Sequence, residues 1–239
     1  MIELTLMGED KGTWYPVSIN RLETYLGKYI EQGHGYVHVT QLKKDIAYNL
    51  QYLQFQDRVV QDIKLSSVLY TQSIKTIVMV GTSVIESILH FILIRTGNYK
   101  TTEWIEKDTF KGNQKKLNGE AVRIDTVIYK KLDSKVNKHM TFDAMIKCAS
   151  SKKLLGKNKL MYEKLEILRK LRNRVHLQVT DDRTGTDWTT FYPKNIDEIY
   201  MVLYSIMVSS LFSPSKEEKK YFYYMLNRYG NLRNLVGSG

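Results

Sequence analysis

The chain predicts an all-α fold, and three observations carry that expectation. Proline is scarce, at 3 of 239 residues, and glycine modest, at 14, so few breakers interrupt long helices. Apolar residues recur at helical spacing along most of the chain. Residues 74–94 are apolar on most sides, the pattern of a central helix. The expected architecture is a helical bundle over residues 61–236 that carries a lysine-rich insertion. A small appendage precedes it at residues 1–60, and residues 237–239 form a short tail.

Residues 1–15 alternate loosely at Ile2, Leu4 and Leu6, as a short strand or hairpin would. Ser18 is a candidate N-cap for a first helix whose stripe is Leu22, Leu26, Tyr29 and Ile30, broken by Gly33-His34-Gly35. Leu42, Ile46, Leu50 and Leu53 share a face and predict a second helix over residues 40–56. The long helix should cover residues 66–96 and stop at Gly97-Asn98. Residues 98–140 have weak periodicity and many lysines, consistent with short helices or a small hairpin over residues 121–129. Thr141 should cap a helix reaching Ser151, and another should run over residues 157–179. A polar loop follows over residues 181–193, then helices over 194–212 and 215–229. The last opens on a capping box of Ser215 and Glu218.

Net charge is +11. From Lys100 to His176 there are 20 Lys/Arg against 9 Asp/Glu, so one third of the chain carries the whole excess. Such a field suits a polyanion, although a lysine-rich solvated surface has the same composition. The single cysteine, Cys148, excludes an internal disulfide framework or a CxxC metal site and fits a reducing, cytoplasmic setting. The first residues lack a basic segment followed by an apolar run, so no signal peptide is expected. The long apolar helix has the length of a membrane span, but Lys75, Glu86 and His90 interrupt it. A buried core helix is expected instead, with no membrane partner. Glu86 and His90, one turn apart, read as a polar pair bracing the core or as two ligands of an incomplete metal site. No metal or other cofactor is expected. The run Tyr221-Phe222-Tyr223-Tyr224 serves either to pack the last helix or to stack bases.

The chemistry concentrates in Leu168-Arg169-Lys170-Leu171-Arg172-Asn173-Arg174-Val175-His176. On a continuous α-helix, Arg169, Arg172 and His176 fall within about 60° of arc. They lie beside an apolar stripe of Leu165, Leu168, Leu171 and Val175. That places three polar side chains on the rim of a buried face, along a helix–helix or subunit interface. The combination suits RNA. An imidazole can take the proton of a 2′-OH or donate one to the leaving oxygen. Guanidinium groups bind phosphate bidentately and stabilise the charge that grows on it. Neighbouring arginines favour the neutral imidazole.

The run Leu171-Arg172-Asn173-Arg174-Val175-His176-Leu177 on a late helix resembles the motif of the HEPN superfamily, helical domains that include many metal-independent ribonucleases. The resemblance is greatest to the HEPN proteins of abortive-infection systems. It implies a HEPN-like helical bundle and an endoribonuclease acting in antiphage defence or as a toxin. Arg172, Asn173 and His176 would be catalytic, and Arg169, Lys170 and Arg174 would bind substrate. It also implies a homodimer whose two motifs meet, RNA as the substrate, and an antitoxin or a regulatory RNA or protein as a further partner. Glu86, on a helix that resembles the early HEPN helix, would support the motif. Three residues separate Arg172 from His176, fewer than the family's usual gap, whereas six separate Arg169 from His176. Arg172 takes the family's arginine position because Asn173 follows it. Gln178 occupies the place of the tyrosine found in HEPN toxins that are neutralised by nucleotidyl modification, so that control is not expected. The alternative reading is a non-catalytic module that binds RNA or protein.

Overall fold

In the computed structural model, which describes residues 5–6, 14–175 and 185–226, the stripe that starts at Ser18 becomes α1 (Ile19–Leu26) with Ser18 as its N-cap. Its Leu22, Tyr25 and Leu26 are buried. The next stripe becomes α2 (Val39–Asp62), about two turns longer than its spacing predicts because Asp57 and Val60 continue the buried face. A two-residue strand, β1 (Thr5–Leu6), pairs antiparallel with β2 (Ile63–Lys64). The remainder of the expected N-terminal strand or hairpin before Trp14 lies outside the described residues.

The central helix is α3 (Ser67–Arg95). It is long and apolar enough to cross a membrane, and 61% of its most apolar window is buried inside the fold. It packs against α2 on one side and α6 (Pro193–Met207) on another. The α3–α6 crossing is close at Gly81, where a Cβ would stand 2.5 Å from Cγ1 of Ile199. The same core takes side chains from α4 (Phe142–Lys152) and α5 (Lys159–Arg172). Thr141 caps α4 by accepting from Ala144 N, and Asn158 caps α5 by accepting from Leu160 N. Ser215 and Glu218 form the expected capping box of α7 (Lys216–Lys219), which tightens into a 3₁₀ turn over Lys220–Met225. Helix α1 and helix α2 share this core. Tyr25 stacks on Phe212 and donates its hydroxyl to the Met207 carbonyl, which ties α1 to the segment after α6.

The expectation of an all-α bundle does not hold. Among the described residues 57% are helical and 15% are strand, and the strands form three two-stranded antiparallel ladders. The lysine-rich insertion is the main departure. Its β3 (Thr101–Phe110) pairs with β6 (Thr126–Asn137) along nearly its whole length. At the tip, β4 (Lys115–Leu117) and β5 (Glu120–Val122) form a second small hairpin around Asn118 and Gly119, both at positive φ. The expected hairpin over residues 121–129 is thus the far end of a much longer ribbon. Thr, Val, Ile, Tyr and Trp fill these strands, as a pleated backbone favours. The two-residue alternation is blurred by register breaks between Thr102 and Trp104 and between Glu106 and Asp108, so no clean period marks the strands.

Candidate functional site

Helix α5 delivers the basic run to the edge of the core. Leu165 and Leu168 are fully buried, which turns Arg169 and Arg172 to the rim. Three of the last four residues of the helix are Arg169, Lys170 and Arg172, and cations there complement the negative end of the helix dipole. The α-helix ends at Arg172, and Asn173–Val175 form a 3₁₀ turn. The continuous helix expected to residue 179 therefore stops early, and the α-helical arc used for the motif holds only for Arg169 and Arg172. His176 and Gln178 lie outside the described residues.

The rim borders a cleft of about 650 Å³ lined by Arg169, Arg172, Asn173, Glu86, His139 and the first turn of α4 with Thr141 to Asp143. Arg172 Nη2 forms an ion pair with Glu86 Oε2 at 2.8 Å, and both side chains are partly exposed. Arg169 Nε lies 3.1 Å from Glu166 Oε2 and 3.3 Å from Asp143 Oδ1. Asp143 also meets Lys147 Nζ at 2.7 Å. The hydrogen bond from Lys147, and then the charge of Arg169, hold the Asp143 carboxyl below its usual value. Each guanidinium carries five N–H donors. The carboxylates therefore orient the arginines while leaving capacity for a phosphate, at the cost of much of the local positive charge.

The other sequence candidates diverge. Asn173 is exposed at the cleft and caps α5 through its backbone N–H to Arg169 O and Leu171 O. Lys170 is exposed on the flank of α5 and does not line the cleft. Arg174 turns the other way and donates to the Thr190 hydroxyl, bracing the segment before α6. Glu86 and His90 separate: Glu86 faces Arg172, whereas His90 packs edge-on against Tyr99 at 4.7 Å and Tyr36 at 5.5 Å. Burial first, and the charge of His139 second, lower the His90 pKa from its ordinary 6.5. In the aromatic run, Phe222 is buried, Tyr221 contacts Tyr25, Tyr224 contacts Tyr200, and only Tyr223 stands clear of the core.

His139 is the lining residue that sequence reasoning passed over. It sits just after the arm, in a segment without helical period, and is remote in sequence from the basic run. A lone exposed histidine beside lysines carries no signal of its own. Among the described residues, no three His, Cys, Asp or Glu side chains gather where a metal ion could bind. Compared with protein-family models, curated proteins and solved structures, the chain matches none of them.

Proposed function

We propose that the protein is a metal-independent endoribonuclease of the HEPN type, working as a homodimer in a defence or toxin-like role. The observation that carries the reading is the cleft at the end of α5. Two arginines and Asn173 from the motif meet Glu86 and an imidazole, His139, in a space wide enough for a nucleotide backbone. In the reaction, a base removes the proton of the 2′-OH and that oxygen attacks the adjacent phosphorus. The bond from phosphorus to the 5′-oxygen breaks, and an acid protonates the departing 5′-oxygen. The products are a 2′,3′-cyclic phosphate and a 5′-hydroxyl. Arg172, held in place by Glu86, binds the non-bridging oxygens, with Arg169 as a second ligand. His176 supplies one proton-transfer group, Asn173 orients the phosphate or the imidazole, and His139 is placed to serve as a second such group. Single-stranded or looped RNA fits best, because its backbone can reach the in-line geometry.

The deciding experiment incubates the purified chain with structured and single-stranded RNA in EDTA. Wild type should release fragments ending in a cyclic phosphate, and His176→Ala should release none while keeping its helical spectrum. Equal product from both proteins would sink the reading. A non-catalytic RNA- or protein-binding module is favoured by one observation: carboxylates already engage both cleft arginines. Salt-sensitive RNA binding without products, unchanged in His176→Ala, would select it.

A further inference from the structure

The β3–β6 arm stands uncovered. Its register assigns side chains to two faces, because cross-strand partners share a face and neighbours alternate. One face carries Trp104 with Lys131, Glu106 with Tyr129, and Thr109 with Val127. The other carries Ile105 with Lys130, Asp108 with Ile128, and Phe110 with Thr126. Both expose large apolar side chains: Trp104 is 48% exposed, Tyr129 55%, Ile105 40% and Phe110 55%. A two-stranded ribbon by itself is marginal in water, and a contiguous exposed apolar patch marks a contact surface.

Charge indicates what covers it. The two strands carry Lys107, Lys130, Lys131 and Lys135 against Glu103, Glu106, Asp108 and Asp133, so the stem is electrically neutral. A phosphate backbone demands a cationic track. On this stem acids instead stand among the bases: Lys131 Nζ lies 3.9 Å from Glu103 Oε1, and by register Glu106 shares a face with Lys131 and Asp108 with Lys130. Such a face complements itself, because about a two-fold axis each residue meets its partner's counterpart. Tryptophan and tyrosine are also the side chains that dominate buried protein contacts. The two register breaks twist the strand edges and disfavour open-ended edge pairing, which directs association to the faces.

We propose that the β3–β6 arm is the contact through which two copies of this chain associate, face to face, with Trp104 and Tyr129 as its anchors. Lys138 and His139 join the arm to the cleft, so this contact also sets where the second copy stands relative to Arg172. The inference extends the two-copy arrangement of the proposed ribonuclease. Sedimentation tests it without reference to cleavage, so the two readings fail separately.

The full chain is followed by analytical ultracentrifugation from about 0.1 to 100 μM. It is compared with a Trp104→Ser/Tyr129→Ser variant and with a chain whose residues 103–135 are replaced by a short Gly-Ser turn. Wild type should sediment as a dimer. The double variant should dissociate at about 30-fold or more higher concentration. The shortened chain should be a monomer with its helical circular dichroism retained, and if it fails to fold the double variant decides. A wild type that stays monomeric throughout overturns the proposal, including one that then binds single-stranded RNA through the arm. Two variants that associate as wild type overturn it equally.

Discussion

Glu86 pairs with Arg172 at 2.8 Å in the lining of the cleft, so the carboxylate both orients the guanidinium and offsets its charge. Glu86→Gln removes the charge and leaves the shape. In the ribonuclease reading, cleavage should fall about tenfold or more as Arg172 loses its alignment, while affinity for RNA rises; single-turnover rates and anisotropy measured on the same samples check both signs. His139→Ala should depress one limb of the pH–rate profile and leave RNA affinity within about twofold, the pattern of a proton-transfer group. An unaltered profile removes His139 from the chemistry. Gln54 acts away from the α5 cleft, through bonds to the backbone. It accepts from Val17 N and donates to Tyr221 O, both at 2.8 Å, and so ties α2 to the segments flanking the helical body. Gln54→Leu leaves both backbone groups without that partner and should cost about 1–3 kcal/mol in denaturant unfolding. The basic run was legible in the sequence because its charges sit at helical spacing beside a stripe. His139 and Gln54 were not, because their partners lie far along the chain.

Helix α3 owes its place to being apolar nearly all round, and Gly81 is where it lets α6 approach. Gly81→Ala puts a methyl against Ile199 with no room to receive it. It should destabilise by about 1–3 kcal/mol despite alanine's better helix propensity, which thermal melting monitored by circular dichroism can read. His90, on the same helix, makes stability depend on pH. Burial lowers its pKa in the folded chain, so the unfolded chain takes up a proton first as pH falls. Its contribution is full above about 6.5 and is lost on acidification towards the folded-state value. His90→Phe keeps a ring against Tyr99 and should flatten the melting temperature between pH 7 and about 5. Helix boundaries at Thr141 and Ser215 follow from capping chemistry, which is local, whereas the Ser18 side chain makes no capping hydrogen bond. The extension of α2 to Asp62 does not follow from it, because the buried face continued by Asp57 and Val60 is set by packing.

Over the whole molecule, one core runs from Leu22 to Met225, with α1 and α2 contributing as fully as α3 and α6. A chain begun at residue 61 would expose the faces that Leu26, Ile46, Leu50 and Leu53 now cover. It should not show a cooperative urea transition, whereas the full chain should show a single one. A stable, cooperatively folding fragment 61–239 would instead mark a separate N-terminal unit. By itself the sequence determined the central apolar helix, the caps, and the gathering of cations near the end of α5, since each rests on spacing or on neighbours within a turn. Tertiary structure alone decided that the lysine-rich insertion is a β-arm, that Glu86 meets Arg172, that Arg174 turns away, and that His139 joins the cleft. Strand pairing and ion pairs between helices join residues tens of positions apart, and their energies depend on distances in space that no local period records.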